Sequence, residues 1–166
     1  VNEQGSNQNS SGNRVDYFVR SYGDLIFDLC ETLISTPLNA QIAFRSILKK
    51  LKSGSRFHQF HQHERGWVLR ITCEKLLELC RHHGRRITPE EQINLDSNDH
   101  LSVRLKQFDI FFRRLMPEDQ ILLILKDKYG IAYSEIATAM ATPEGSLKVR
   151  RQQALRTLEE WLWKTQ

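Results

Sequence analysis

Apolar residues recur along most of the chain at spacings of three and four, the period of helices rather than strands. Residues 1–13 are polar, rich in Asn, Ser, Gln and Gly and without a period, which predicts disorder. Val15, Phe18, Val19, Tyr22, Leu25, Ile26, Leu29 and Leu33 then line one face of a long helix. Thr36-Pro37 supplies a capping hydroxyl and a proline for the first position of a second helix, with a stripe of Leu38, Ile42, Ile47, Leu48 and Leu51 and a stop at Ser53-Gly54. Residues 55–63, SRFHQFHQH, have no period and read as a loop. A third helix over 64–83 is apolar on a wide arc (Trp67, Val68, Leu69, Ile71, Leu76, Leu77, Leu79, Cys80), which predicts a central position.

Residues 84–100 read as a linker holding one capping box, Thr88-Pro89-Glu90-Glu91. Beyond it, Leu101, Leu105, Phe108, Phe112 and Leu115 mark a fourth helix. Pro117 restarts the chain as a fifth, with Glu118 and Asp119 suiting the dipole and Gly130 expected as a left-handed cap. A short helix with inward Ile136, Ala137 and Met140 follows. Ala141-Thr142 then turns the chain into a last helix, with Thr142 as cap, Pro143 at the first position, and Leu147, Ala154, Leu155, Leu158 and Leu162 inward. No alternating pattern or internal repeat competes. The fold class expected is all-α: a helical module over 14–83, a linker over 84–100 and a second module over 101–166.

Charge refines this picture. The 166 residues carry 24 Lys+Arg against 20 Asp+Glu, a formal +4. Arg45, Lys49, Lys50, Lys52 and Arg56 fall within 38–63 with no acid among them, while 87–120 is net acidic. Two basic segments around an acidic one suggest two anion-facing modules. Three cysteines without CxxC spacing fit a reducing, cytoplasmic setting better than a disulfide scaffold. No apolar run approaches a membrane span, and the first residues lack a signal-peptide core, so no membrane insertion is expected.

Catalytic chemistry finds no frame: there is no phosphate-binding GxxxxGK[ST] and no GxSxG. His58, His61 and His63, with Cys80, His82 and His83, invite a metal, but without a supporting CxxC or HExxH frame the reading is no metal and no cofactor. Phe57 and Phe60, interleaved with Arg56 and histidines, suit stacking on unpaired bases; packing onto the third helix serves each alone as well. Trp161 and Trp163 fit a helical core better than a partner contact. Cys30 and Cys73 read as small buried hydrophobes.

The most informative stretch is 131–155, IAYSEIATAMATPEGSLKVRRQQAL. A short helix, a tight turn and a second helix carrying Ser146, Lys148, Arg150, Arg151, Gln152 and Gln153 outward describe a helix-turn-helix. Such a helix fits the major groove, where Lys, Arg and Gln reach base edges, and Gly145 lets backbone come near phosphate. On pattern alone a helical hairpin with a solvated charged face explains these residues equally well.

Residues 115–158 resemble region four of bacterial sigma factors of the sigma-70 type, extracytoplasmic-function (ECF) group. The shared features are the Leu-Met-Pro-Glu opening, Gly130, Tyr-Ser-Glu-Ile-Ala over 133–137, Gly-Ser-Leu-Lys over 145–148 and the tail from Gln153 to Leu158. The first module resembles region two more faintly, through Tyr22-Gly23-Asp24-Leu25, Trp67-Val68-Leu69-Arg70-Ile71 and Arg81. The resemblance implies a non-enzymatic promoter-recognition subunit that binds core RNA polymerase and promoter DNA and is held by an anti-sigma factor. By position it implies −35 readers at Lys148, Val149, Gln152 and Gln153, with Gly145, Ser146 and Arg150 on the backbone. It implies −10 contacts from Arg56, Phe57, Phe60, Trp67, Arg70, Glu74 and Arg81, and polymerase contacts from Asn39, Gln41, Ile42 and Arg45.

Three positions depart from the family pattern. Asn39, Ala40, Gln41 and Ile42 stand where the family is acidic, Glu74 where it has Asn, and Arg151 where it buries an aliphatic residue. A carboxylate beside DNA repels phosphate and accepts hydrogen bonds only, and Arg151 must snorkel or pair, with Glu144 or Glu135 as candidates. The alternatives these leave open are a sigma-like adaptor or decoy that does not initiate, and a stand-alone helix-turn-helix regulator.

Overall fold

The computed structural model describes residues 7–34, 36–54, 63–83 and 100–164, with side chains over 15–34, 36–54, 63–82 and 104–164. Residues 55–62 of the loop expected at 55–63, with Arg56, Phe57, His58, Phe60 and His61, residues 84–99 of the linker expected at 84–100, and residues 1–6, 35 and 165–166 lie outside the described residues; His100, expected in the linker, starts α4. Every described element is helical: α1 (Asn7–Leu33), α2 (Pro37–Ser53), α3 (Glu64–His83), α4 (His100–Arg114), α5 (Pro117–Leu123), α6 (Tyr133–Met140) and α7 (Glu144–Lys164).

The starts follow local chemistry. Thr36 is extended and its hydroxyl accepts the Asn39 amide at 3.2 Å, with Pro37 at the first helical position. Pro117 opens α5 with Glu118 and Asp119 in its first turn. The chain then widens into one π-helical turn, Ile124–Lys128, which periodicity does not reveal. Gly130 closes it with φ +64, the left-handed cap expected there.

Two boundaries differ from expectation. Residues 7–13, expected to be disordered, extend α1; once the apolar stretch has nucleated a helix, each added residue costs little and gains one hydrogen bond. Pro143 precedes α7, its carbonyl accepting the Leu147 amide at 3.1 Å, and the Thr142 hydroxyl donates to the Met140 carbonyl at 3.0 Å rather than capping α7.

The halves on either side of residues 84–99 share one core. Phe18, Ile26 and Leu29 of α1, Ile47 and Leu51 of α2 and Leu69 and Leu76 of α3 pack in the same cluster as Ile121, Leu122 and Leu125, Ile136 of α6 and Leu147 of α7. Each such side chain contributes about 1.5–3 kcal/mol by leaving water. A smaller cluster, Phe111, Leu115, Leu123, Ala154 and Leu158, joins α4 to the later turns of α7. Polar ties follow the same seam. Arg65 of α3 forks onto Glu135 of α6 at 2.7 and 2.6 Å. Asp28 of α1 accepts a short hydrogen bond from Tyr129 and pairs with Lys128 at 2.5 Å.

Several faces turn differently from the stripes in the sequence. On α2 the buried positions are Ala40, Ala43, Ile47, Leu48 and Leu51, leaving Leu38 67% and Ile42 56% exposed. The face that carries the two alanines is the one turned into the core, and the two larger residues lie outside it. Leu105 and Phe108 are exposed, and α4 packs instead through Phe111 in its last turn, with Leu115 just beyond its end. Val19 and Leu155 are likewise exposed.

Candidate nucleic-acid interface

Helix α6 is short because Ala141, the one described non-glycine residue with positive φ (49°), ends it in the left-handed region. Its amide and that of Thr142 both donate to the Ala137 carbonyl, the latter at 3.0 Å, which closes a tight turn. Ile136 and Ala139 of α6 and Leu147 of α7 are buried in one cluster, so the inner faces of the pair meet in the core. The opposite face of α7 is open: Gly145, Ser146, Lys148, Val149, Gln152 and Gln153 are all exposed. A Cβ added at Gly145 would meet nothing within 4 Å, so packing inside the chain does not demand a glycine there. These six are −35 candidates from the sequence, and they lie together.

The arginines behave differently from that set. Arg150 is half-buried, hydrogen-bonded to Asp119 by a short contact from Nε and 3.6 Å from Glu118. Arg151 grips Asp127 of the π turn at 2.9 Å. That bond, with the nearby negative charge, raises the guanidinium pKa despite the cost of burial. The partner is neither Glu144 nor Glu135, the two expected; Glu135 is taken by Arg65. Arg150 therefore has a ready internal anchor, and its reach to a phosphate competes with two carboxylates.

Two features here are not legible in the sequence pattern. Lys126 and Lys148 both sit over the Tyr133 ring, 4.8 and 5.6 Å from its centroid, gathering two cations at the entry to α6. An open groove of about 770 Å³ runs between the α4–α5 junction and α7, with Met116, Gly145, Val149, Gln153 and Trp161 in its lining. The separations along the sequence hide both; only the acids in the first turn of α5 hint at what faces Arg150.

On α3 the −10 candidates divide. Arg70, Glu74 and Arg81 are exposed along one side. Glu74 accepts from Arg70 at 2.9 Å and lies 3.8 Å from Lys50 of α2, so two cations offset the carboxylate that would otherwise repel phosphate. Trp67 is half-buried, its ring 6.1 Å from Phe18. Nearby Glu64, 8% exposed, accepts from Tyr17 at 2.7 Å and Tyr22 at 2.8 Å. The bond to Glu64 raises the Tyr17 phenol pKa, and burial followed by the same bond raises that of Tyr22. Arg56, Phe57 and Phe60 fall outside the described residues. Asn39, Gln41, Ile42 and Arg45 are exposed together on α2.

Among the described residues no group of three His, Cys, Asp or Glu gathers as metal ligands, and no helix is long and apolar enough to cross a membrane. No family model matches the chain, and no curated protein matches it.

Proposed function

We propose that this chain is a promoter-recognition subunit of the ECF sigma type, a non-enzymatic cytoplasmic protein that binds DNA and core RNA polymerase and is held by an anti-sigma factor. The observation that carries the reading is the open face of α7. Exposed Lys148, Gln152 and Gln153 have donors for base edges, Val149 offers an apolar contact for a thymine methyl, and Gly145 leaves room for phosphate at the start of the helix. Arg70 and Arg81 of α3 would face the −10 strand, and α2 would meet the polymerase through Asn39, Gln41, Ile42 and Arg45.

The test is binding to a promoter selected from random duplexes, followed by transcription with the host's core polymerase. Lys148→Ala and Gln152→Ala are each expected to cost about 1–3 kcal/mol of preference for the selected site over random DNA. Unchanged preference in both variants rejects the assignment of α7.

One observation favours a second reading, a stand-alone helix-turn-helix regulator. The shared core holds the halves packed against each other, whereas a subunit reading two separated promoter elements needs them apart. Footprints without polymerase, and no initiation with it, would select that reading.

A further inference from the structure

The outer face of α2 carries a pattern that neither DNA recognition by α7 nor the core explains. Leu38, Ile42, Arg45, Lys49 and Lys52 are spaced four, three, four and three residues apart and are all exposed. That is the spacing of a coiled-coil seam, which keeps one narrow stripe in line along a helix. Its first half is apolar and its second half basic. Arg45, Lys49 and Lys52 form no ion pair with the described residues; only the neighbouring Lys50, off the stripe, approaches an acid, Glu74 at 3.8 Å.

We infer that this stripe docks an acidic amphipathic helix of a protein partner, lying antiparallel to α2. The partner helix would begin with Asp or Glu beside Lys52, Lys49 and Arg45 and continue with Leu or Ile beside Ile42 and Leu38. Charge complementarity fixes the sign of the partner. The apolar pair favours protein over nucleic acid, because a phosphate backbone leaves Leu38 and Ile42 in water. The orientation follows from the helix dipoles. Lys50 and Lys52 occupy the last turn of α2, where cations are favoured, and acids are favoured in the first turn of a helix laid against it in the opposite sense. The inference rests on the reading of α2 as a partner-binding face and specifies the chemistry of what it meets. The sign is opposite to that expected from an acidic helix in this place.

The test uses the full chain and three synthetic 21-residue helical peptides, labelled for fluorescence anisotropy. The first has Glu at the seam positions of its opening turns and Leu at the later ones. The second has the reverse order, and the third has Lys in place of Glu. The first is expected to bind at least tenfold tighter than either of the others. Ile42→Asp should weaken it at least tenfold, with an unchanged circular-dichroism spectrum and melting temperature. Arg45→Glu with Lys49→Glu should reverse the preference between the Glu and Lys peptides, a swap that mere loss of structure would not produce. Equal binding of the first two peptides overturns the orientation. Failure of all three overturns the proposal, as does a loss of random-duplex binding in the double variant when no peptide binds. Core-polymerase binding, measured on the same variants, separates the two ideas. Polymerase binding that falls while no peptide binds leaves α2 as a partner face and removes the acidic helix; the converse removes the polymerase and keeps the acidic helix.

Discussion

Gly54 shows how one missing methyl group sets a local arrangement. A Cβ there would lie 2.6 Å from Cζ2 of Trp67, so the absent side chain is what admits the indole beside the end of α2. Gly54→Ala is expected to push the ring outward and cost about 1–3 kcal/mol, read by urea unfolding with a shift in tryptophan emission. Burial pushes the Cys30 and Cys73 thiols up to about 12, leaving almost no thiolate at pH 8. A thiol reagent at that pH is therefore expected to modify native protein at Cys80, half-buried at the end of α3, with the other two reacting only on unfolding. Burial of Asp28 opposes its ionisation, but the bonds from Lys128 and Tyr129 outweigh that and hold the carboxyl below its ordinary value. A depressed carboxyl stabilises the fold fully above its unfolded pKa, and the contribution is lost as pH falls through the folded one. Asp28→Asn should therefore flatten the acid side of the stability profile, measured by denaturant melts from neutral pH downward, while lowering stability at pH 7.

At the scale of elements, α7 tests whether stability and binding are separable. A glycine early in a helix with open space at its Cβ has no packing reason to be there, and alanine should stabilise the fold by up to about 1 kcal/mol. If phosphate approaches Gly145, the same Gly145→Ala change should weaken DNA binding several-fold while raising the melting temperature. Equal affinity with a higher melting temperature would mean that DNA does not come near. The helices themselves were largely legible in the sequence, because threefold and fourfold spacing, Thr36-Pro37, Pro117 and Gly130 act within a few residues of where they are written. Their rotations were not all legible. Leu38 and Ile42 look like core by period alone, but α2 buries the face of Ala40, Ala43, Ile47, Leu48 and Leu51 instead, and which face is buried is settled by how the helices meet. The candidate readers on α7 were legible for the same local reason, whereas the engagement of Arg150 by Asp119 and of Arg151 by Asp127 depends on how helices meet.

At the scale of the molecule, the core that runs through both halves predicts one cooperative transition in calorimetry rather than two. Ile136, fully buried between the halves, is the residue to probe: Ile136→Ala is expected to cost about 2–5 kcal/mol and to lower that single transition. Two resolved transitions in the unaltered chain would show the halves to be energetically separate. The shared core also bears on the order in which the chain is made. Leu69 and Leu76 of α3 leave the ribosome well before Ile121 to Leu147 exist to join their cluster. At roughly 5–20 residues per second the nascent α1–α3 bundle waits on the order of several seconds with part of its apolar surface wet. During that interval it is a natural client for a chaperone, and mutations that delay α5 or α6 should lower the yield of soluble protein more than they lower its equilibrium stability.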